Sequence, residues 1–201
     1  MLTSISPLGE RARASRWWVT TTAYVISSTL GGVTVGALAA LLGGLVPEDV
    51  RSSPAVLLLV AAALVVGLVL DLGVGGARLP SWRRQVDEAW LGRYRGWVVG
   101  TGFGAQLGVG VVTIVTSSTT YAVLLLAALS GSVPVGALVG GVFGLVRALP
   151  LVMMVRVDTR ERLWAVLRRV EYASPTAERV ARLALAVGAA ALTAAALRGA
   201  A

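Results

Sequence analysis

Cysteine and histidine are both absent from the 201 residues, and lysine is absent too. Without Cys or His the chain has no means of forming a disulfide, a Cys/His zinc site, an iron–sulfur ligand set, histidine-ligated haem or a thiol redox couple. A Ser-His-Asp or Cys-His catalytic arrangement is excluded as well, because its general base is missing. Charge is also scarce: 14% of residues are charged, against about 25% in an average soluble domain. What fills the space is apolar, at 56% of residues with a mean hydropathy of +0.80. A soluble fold of this length has too little interior to hide that much apolar surface. The composition therefore predicts an all-α, polytopic membrane protein, read as a single transmembrane domain over 1–201.

Eighteen arginines against ten acids give a net charge of +8 and a pI near 11.3. Nucleic-acid binding is one meaning of such a balance. Here most arginines sit in short stretches between apolar runs, which is the pattern of membrane topology and lipid headgroups. The partner read from charge is thus the bilayer, with no nucleic acid.

Five apolar segments, at about 17–46, 54–76, 97–131, 134–155 and 176–197, are each long enough for the roughly 20 residues a crossing needs. The links hold three arginines before the first segment, one at 47–53, five at 77–95, none at 131–133 and five at 156–175. That alternation puts the N-terminus inside a bacterial cytoplasmic membrane and the C-terminus outside. Trp17, Trp18 and Trp97 stand at the expected membrane edges. Ser53-Pro54 and Ser174-Pro175 each read as a capping hydroxyl before a proline at the first helical position. Residues 81–95 and 158–172 carry helical apolar spacing between charges, which predicts two cytoplasmic interfacial helices, the second opening with Asp158 and Glu161 as a capping-box analogue.

Small residues recur at every fourth position as Gly36, Ala40, Gly44; Ala63, Gly67, Gly75; Gly100, Gly104, Gly108; and Gly136, Gly140, Gly144, the pattern of close helix packing. The Gly31-Gly32 pair interrupts the first segment near its middle. The third segment exceeds one straight crossing of about 30 Å and is too short for two with a turn, so it is expected to bend or re-enter near Gly100–Gly110 or the hydroxyl run Thr116, Ser117, Ser118, Thr119, Thr120. Interrupted helices in corresponding positions point to a transporter midplane. Two charges fall at depth, Asp71 and Arg147, each the other's expected partner. Together with Gln106 and the hydroxyl run they form the candidate intramembrane polar site.

The stretches YRGWVVGTGFGAQLGVGVVTIV, YAVLLLAALSG and GALVGGVFGLVRALPLVM resemble the second half of the DsbD/CcdA-type transmembrane electron carriers and, more widely, the LysE-like transporters. STLGGVTVGALAALLGGL resembles that family's second helix. The resemblance implies two inverted halves around a bent helix and an association with redox or cytochrome-maturation partners. Around Gln106, Leu107 and Gly108, where that family carries Pro-Cys, no cysteine stands, and the helix carrying its first cysteine is not found. Electron relay by that route is excluded. The expected function is a transporter-like or carrier-like protein, with a non-transporting membrane scaffold or accessory subunit as the alternative, and no enzymatic activity is expected. A partner membrane protein or a second copy is the expected associate, and no cofactor is expected.

Overall fold

In the computed structural model, which describes residues 6–12, 16–73, 93–110 and 117–199, every described regular element is helical. The elements are α1 (Pro7–Ala12), α2 (Trp17–Gly44), α3 (Glu48–Arg51), α4 (Pro54–Asp71), α5 (Gly96–Val109), α6 (Thr119–Ser130), α7 (Val133–Val152), a 3-10 turn at Met153–Arg156 and α8 (Arg160–Gly199). Among these, α2, α4, α7 with its 3-10 extension, and α8 are long and apolar enough to cross a membrane. Much of their apolar surface faces outward, as with Leu42, Leu59 and Leu138 at 65%, 70% and 68% exposure. A helix that is apolar all round and still exposed has hydrocarbon as its natural solvent.

The segment 97–131 does not form a fifth continuous helix. It divides into α5, of 14 residues, and α6, of 12, about 21 and 18 Å long. Gly110 closes α5 with φ +75°, a conformation that glycine enters without the Cβ penalty other residues meet. Conversely, the Gly31-Gly32 pair does not interrupt the first segment: α2 runs unbroken, and these glycines bring other backbones near.

Neighbouring residues give the directions. Gly100 lies against Thr20 and Gly108 against Ser28, so α5 runs parallel to α2; Gly131 lies against Gly44, so α6 continues the same way. Gly136 meets Gly36 and Gly144 meets Ser28, making α7 antiparallel. Gly188 meets Leu64 and Gly199 meets Pro54, so α8 is antiparallel to α4. The chain therefore passes through the bundle along α2, α4, the broken α5/α6, α7 and α8 in alternating directions. At the end shared by Gly44 and Gly131, Arg51 donates to the Val46 and Leu129 carbonyls at 3.0 and 2.9 Å, a cation on helix carboxyl ends.

Ser53 caps α4 as expected, accepting from the Val56 amide at 3.4 Å with Pro54 at the first position. Ser174-Pro175 does not start a helix. Pro175 lies inside α8, which begins at Arg160 and absorbs the segment expected as a separate interfacial helix at 158–172. The carbonyl that Pro175 leaves unbonded belongs to Glu171, and residues 171–180 are all exposed, so solvent can satisfy it. The cap of α8 is Thr159, whose hydroxyl accepts from the Arg162 amide at 3.3 Å, while Asp158 pairs with Arg162 at 2.7 Å. Glu161's own backbone N–H, and then the Thr159 hydroxyl, hold its carboxyl below the usual range. The other expected interfacial helix, 81–95, falls outside the described residues up to 92, as does Gly75.

With no native cysteine, any introduced thiol is unique. Ser52→Cys is expected to react with a membrane-impermeant maleimide from outside intact cells, and Thr159→Cys only after permeabilisation. Labelling of both from one side would reject the alternating arrangement.

Candidate functional site at a helix break

Asp71 is the last residue of α4, and its side chain reaches the start of α6. Its Oδ2 accepts from the Ser117 hydroxyl at 2.8 Å, and its Oδ1 and Oδ2 from the Ser118 amide at 2.9 and 3.2 Å. Ser117 Oγ in turn accepts from the Thr119 amide at 3.3 Å and hydroxyl at 3.1 Å. An anion here meets the unpaired N–H groups and positive end of a helix, its most favourable backbone environment. The Asp71 carbonyl accepts from Arg182 Nη2 at 2.9 Å, and the same Nη2 meets Glu178 at 3.4 Å. One residue thereby joins the end of α4, the start of α6 and the flank of α8. A cavity of about 150 Å³ opens beside it, lined by Asp71, Ser117, Glu178, Ala181 and Arg182.

Arg147 stands on the other side of that first turn of α6 and does not pair with Asp71. Its guanidinium lies 5.3 Å from the centroid of the Phe143 ring, a cation–π contact. A Cβ on Gly110 would lie 3.0 Å from Thr120 Cγ2, 3.1 Å from Arg147 Nη1 and 3.2 Å from Phe143. Arg147 therefore sits at the carboxyl end of α5, where a cation is favoured, while the capping donors of α6 occupy the carboxylate expected for it. Its Nη1 is buried and meets no hydrogen-bond acceptor among the described residues.

The remaining candidates scatter around this break. Gln106 is half-buried on α5, one turn before Gly110; Thr120 is buried on the Arg147 side; Thr116 is outside the described residues. Ser118 is 3% exposed, and its Oγ has no partner among the described residues. Gly67 packs on Ser118, with a Cβ position 2.9 Å from the serine's own. At Gly36, Gly100, Gly104, Gly108, Gly136, Gly140 and Gly144 a Cβ would overlap a backbone carbonyl oxygen of a neighbouring helix; at Gly44 it would lie 3.0 Å from the Gly131 oxygen. The glycines thus bring the described helices close together, and the cavity lined by Gly32, Gly36, Gly108, Thr120 and Gly140, between α2, α5, α6 and α7, holds about 10 Å³.

Two polar positions had no warning in the sequence. Glu10, on α1, is 1% exposed and accepts from the Thr20 hydroxyl at 3.0 Å; it precedes the first apolar run and so reads as a solvated charge. Arg182 reads as one of many arginines near a helix start, because its contact depends on how α8 packs against α4.

Loss of the Asp71 cap has a definite signature. Asp71→Ala strands the Ser118 amide and is expected to cost about 2 kcal/mol, whereas Asp71→Asn keeps an accepting oxygen and most of the stability. Thermal unfolding in detergent separates the two, and equal losses would remove the capping role.

No protein-family model matches the chain, and no solved structure matches it. Curated relatives include the methylamine utilization protein MauF of Methylophilus methylotrophus, 30% identical over 152 residues, 75% of this chain and 53% of that protein. MauF of Paracoccus versutus is 30% identical over 155 residues, 73% of this chain and 54% of its own length. The chain spans about half the length of the curated relatives it matches.

Proposed function

We propose that this chain is a non-enzymatic membrane component of a primary-amine utilisation system that holds or assembles a partner protein, embedded in a bacterial cytoplasmic membrane with its N-terminus inside. The observation that carries the reading is the close glycine packing of α2 against α5 and α7, the described helices beside the break. At these glycines the neighbouring backbones meet directly, and the cavity lined by Gly32, Gly36, Gly108 and Gly140, about 10 Å³, is room for at most one water. The likeness to two methylamine utilization proteins over about three quarters of the chain supports the assignment to amine utilisation. Kinship with the thiol-carrier scaffold belongs to the same proposal. A pass broken into two short helices accords with it, and without cysteine such a scaffold serves as a docking frame.

A solute carrier is the second reading, favoured by the 150 Å³ polar cavity at Asp71, Glu178 and Arg182. One pair of measurements separates the two. Tagged protein purified from membranes of cells grown on methylamine is expected to bring down a fixed stoichiometric partner that is missing after growth without amine. Proteoliposomes of the pure protein are expected to take up methylammonium no faster than empty vesicles. Protein-dependent uptake would overturn the docking reading in favour of transport.

A further inference from the structure

α4 packs along α8 but meets α6 in few places, and the gap is an apolar groove of about 240 Å³ open on its flank. Ala63, Val66, Leu70, Tyr121, Leu125 and Leu185 line it. Ser118 stands at one end with its buried, unpartnered hydroxyl. Immediately beyond, the polar cavity begins: Ser117 precedes Ser118, Asp71 follows Leu70, and Arg182 lies one turn from Leu185. An apolar slot thus runs into a charged chamber.

The depth of that junction is informative. From Pro54 to Asp71, and from Gly199 to Arg182, the helices advance 17 residues, about 26 Å, nearly the 30 Å of a hydrocarbon core. With Pro54 and Gly199 at one water interface, Asp71 and Arg182 stand close to the other. The slot then lies in hydrocarbon and the chamber among headgroups. A partner helix, about 10 Å wide, is too bulky for the slot, whereas a single acyl chain is not. Arg182 uses Nη2 on the Asp71 carbonyl and Glu178 and leaves Nε and Nη1 without protein acceptors among the described residues. Glu178, 59% exposed beside it, supplies the opposite charge.

We propose that this groove and chamber bind one phosphatidylethanolamine-type phospholipid. One acyl chain fills the slot, Arg182 holds the phosphate and Glu178 the primary ammonium. The pairing of one cation with one carboxylate matches a zwitterion that can donate hydrogen bonds, and it matches neither a trimethylammonium head, which has no N–H, nor an anionic glycerol head, which has no cation. This binding is independent of the amine-utilisation reading.

The test is native mass spectrometry of the full chain, taken from nanodiscs containing equal parts phosphatidylethanolamine, phosphatidylcholine and phosphatidylglycerol. The wild type is expected to retain a single lipid, phosphatidylethanolamine, over phosphatidylcholine by about fivefold, the size of one partly exposed ion pair. Glu178→Gln should erase that preference while still holding lipid, and Ala63→Phe, at an exposed position that fills the slot, should lose retention of all three. If Ala63→Phe does not yield folded protein, Leu125→Trp takes its place. Equal retention of the three lipids by the wild type, an unchanged preference in Glu178→Gln, or wild-type retention with the slot filled would each overturn the proposal.

Discussion

Gly140→Leu is expected to prevent the native bundle from forming. Gly140 and Gly32 face each other so closely that a Cβ on either would overlap the carbonyl oxygen of the other, and Gly36 and Gly136 repeat the arrangement one turn away. Ser28 tightens the same seam by donating to the Gly144 carbonyl at 2.7 Å. Its own carbonyl is approached by Gly144 from α7 and by Gly108 from α5, so α2 is gripped on two sides at one level. In cores where flexible side chains can yield, overpacking costs about 1–3 kcal/mol. Here the obstacle is rigid backbone, and relief requires whole helices to part. The expected loss is therefore more than about 3 kcal/mol, seen as aggregation or a collapsed unfolding temperature in detergent. Gly188→Ala is the control: its Cβ would meet only the flexible Leu64 Cδ1, at 3.3 Å, and should cost under about 1 kcal/mol. Equal stability of the two variants would refute the account.

The difference between these glycines shows which features were legible in sequence. A small residue at every fourth position announces a face that something approaches, and the four stripes at 36–44, 63–75, 100–108 and 136–144 could be read without coordinates. Which helix approaches, and whether it comes as backbone or side chain, depends on assembly. The 35-residue apolar segment had to break because its length fits neither one crossing nor two, and its glycine-rich and hydroxyl-rich stretches flank the break. The partner of Asp71 was not legible. Two opposite charges at depth suggest each other, but the start of a new helix nearby offers an anion a hydroxyl and an amide at once. That helix start exists only because the segment breaks. Pro175 misled because a Ser-Pro pair reads as a helix start, whereas here the proline lies inside α8 on a stretch, 171–180, that is exposed on every residue.

Arg147→Met is expected to leave the protein folded and slightly more stable while removing at least tenfold of its partner binding. Counting from Val133, Arg147 lies about 21 Å along α7, within hydrocarbon if Val133 marks the interface. A guanidinium donor buried without an acceptor, as Nη1 is among the described residues, costs about 1–3 kcal/mol, toward the upper end and beyond because it is charged. Against this stand the Phe143 contact, about 0.5–2 kcal/mol, and the carboxyl end of α5, about 0.3–1 kcal/mol. The cost exceeds the return by about 1 kcal/mol, and no described carboxylate makes up the rest. Methionine keeps the length and the contact with the ring and discards the charge, so stability should rise by about that amount. Arg147→Lys, which keeps the charge without a planar face to lay on Phe143, should be the least stable of the three. On the docking reading, this donor without an acceptor among the described residues is the group whose loss the partner would register. A methionine variant that melts lower than wild type would instead make Arg147 a structural clasp on the break. One that melts higher and still captures its partner would detach the residue from the function.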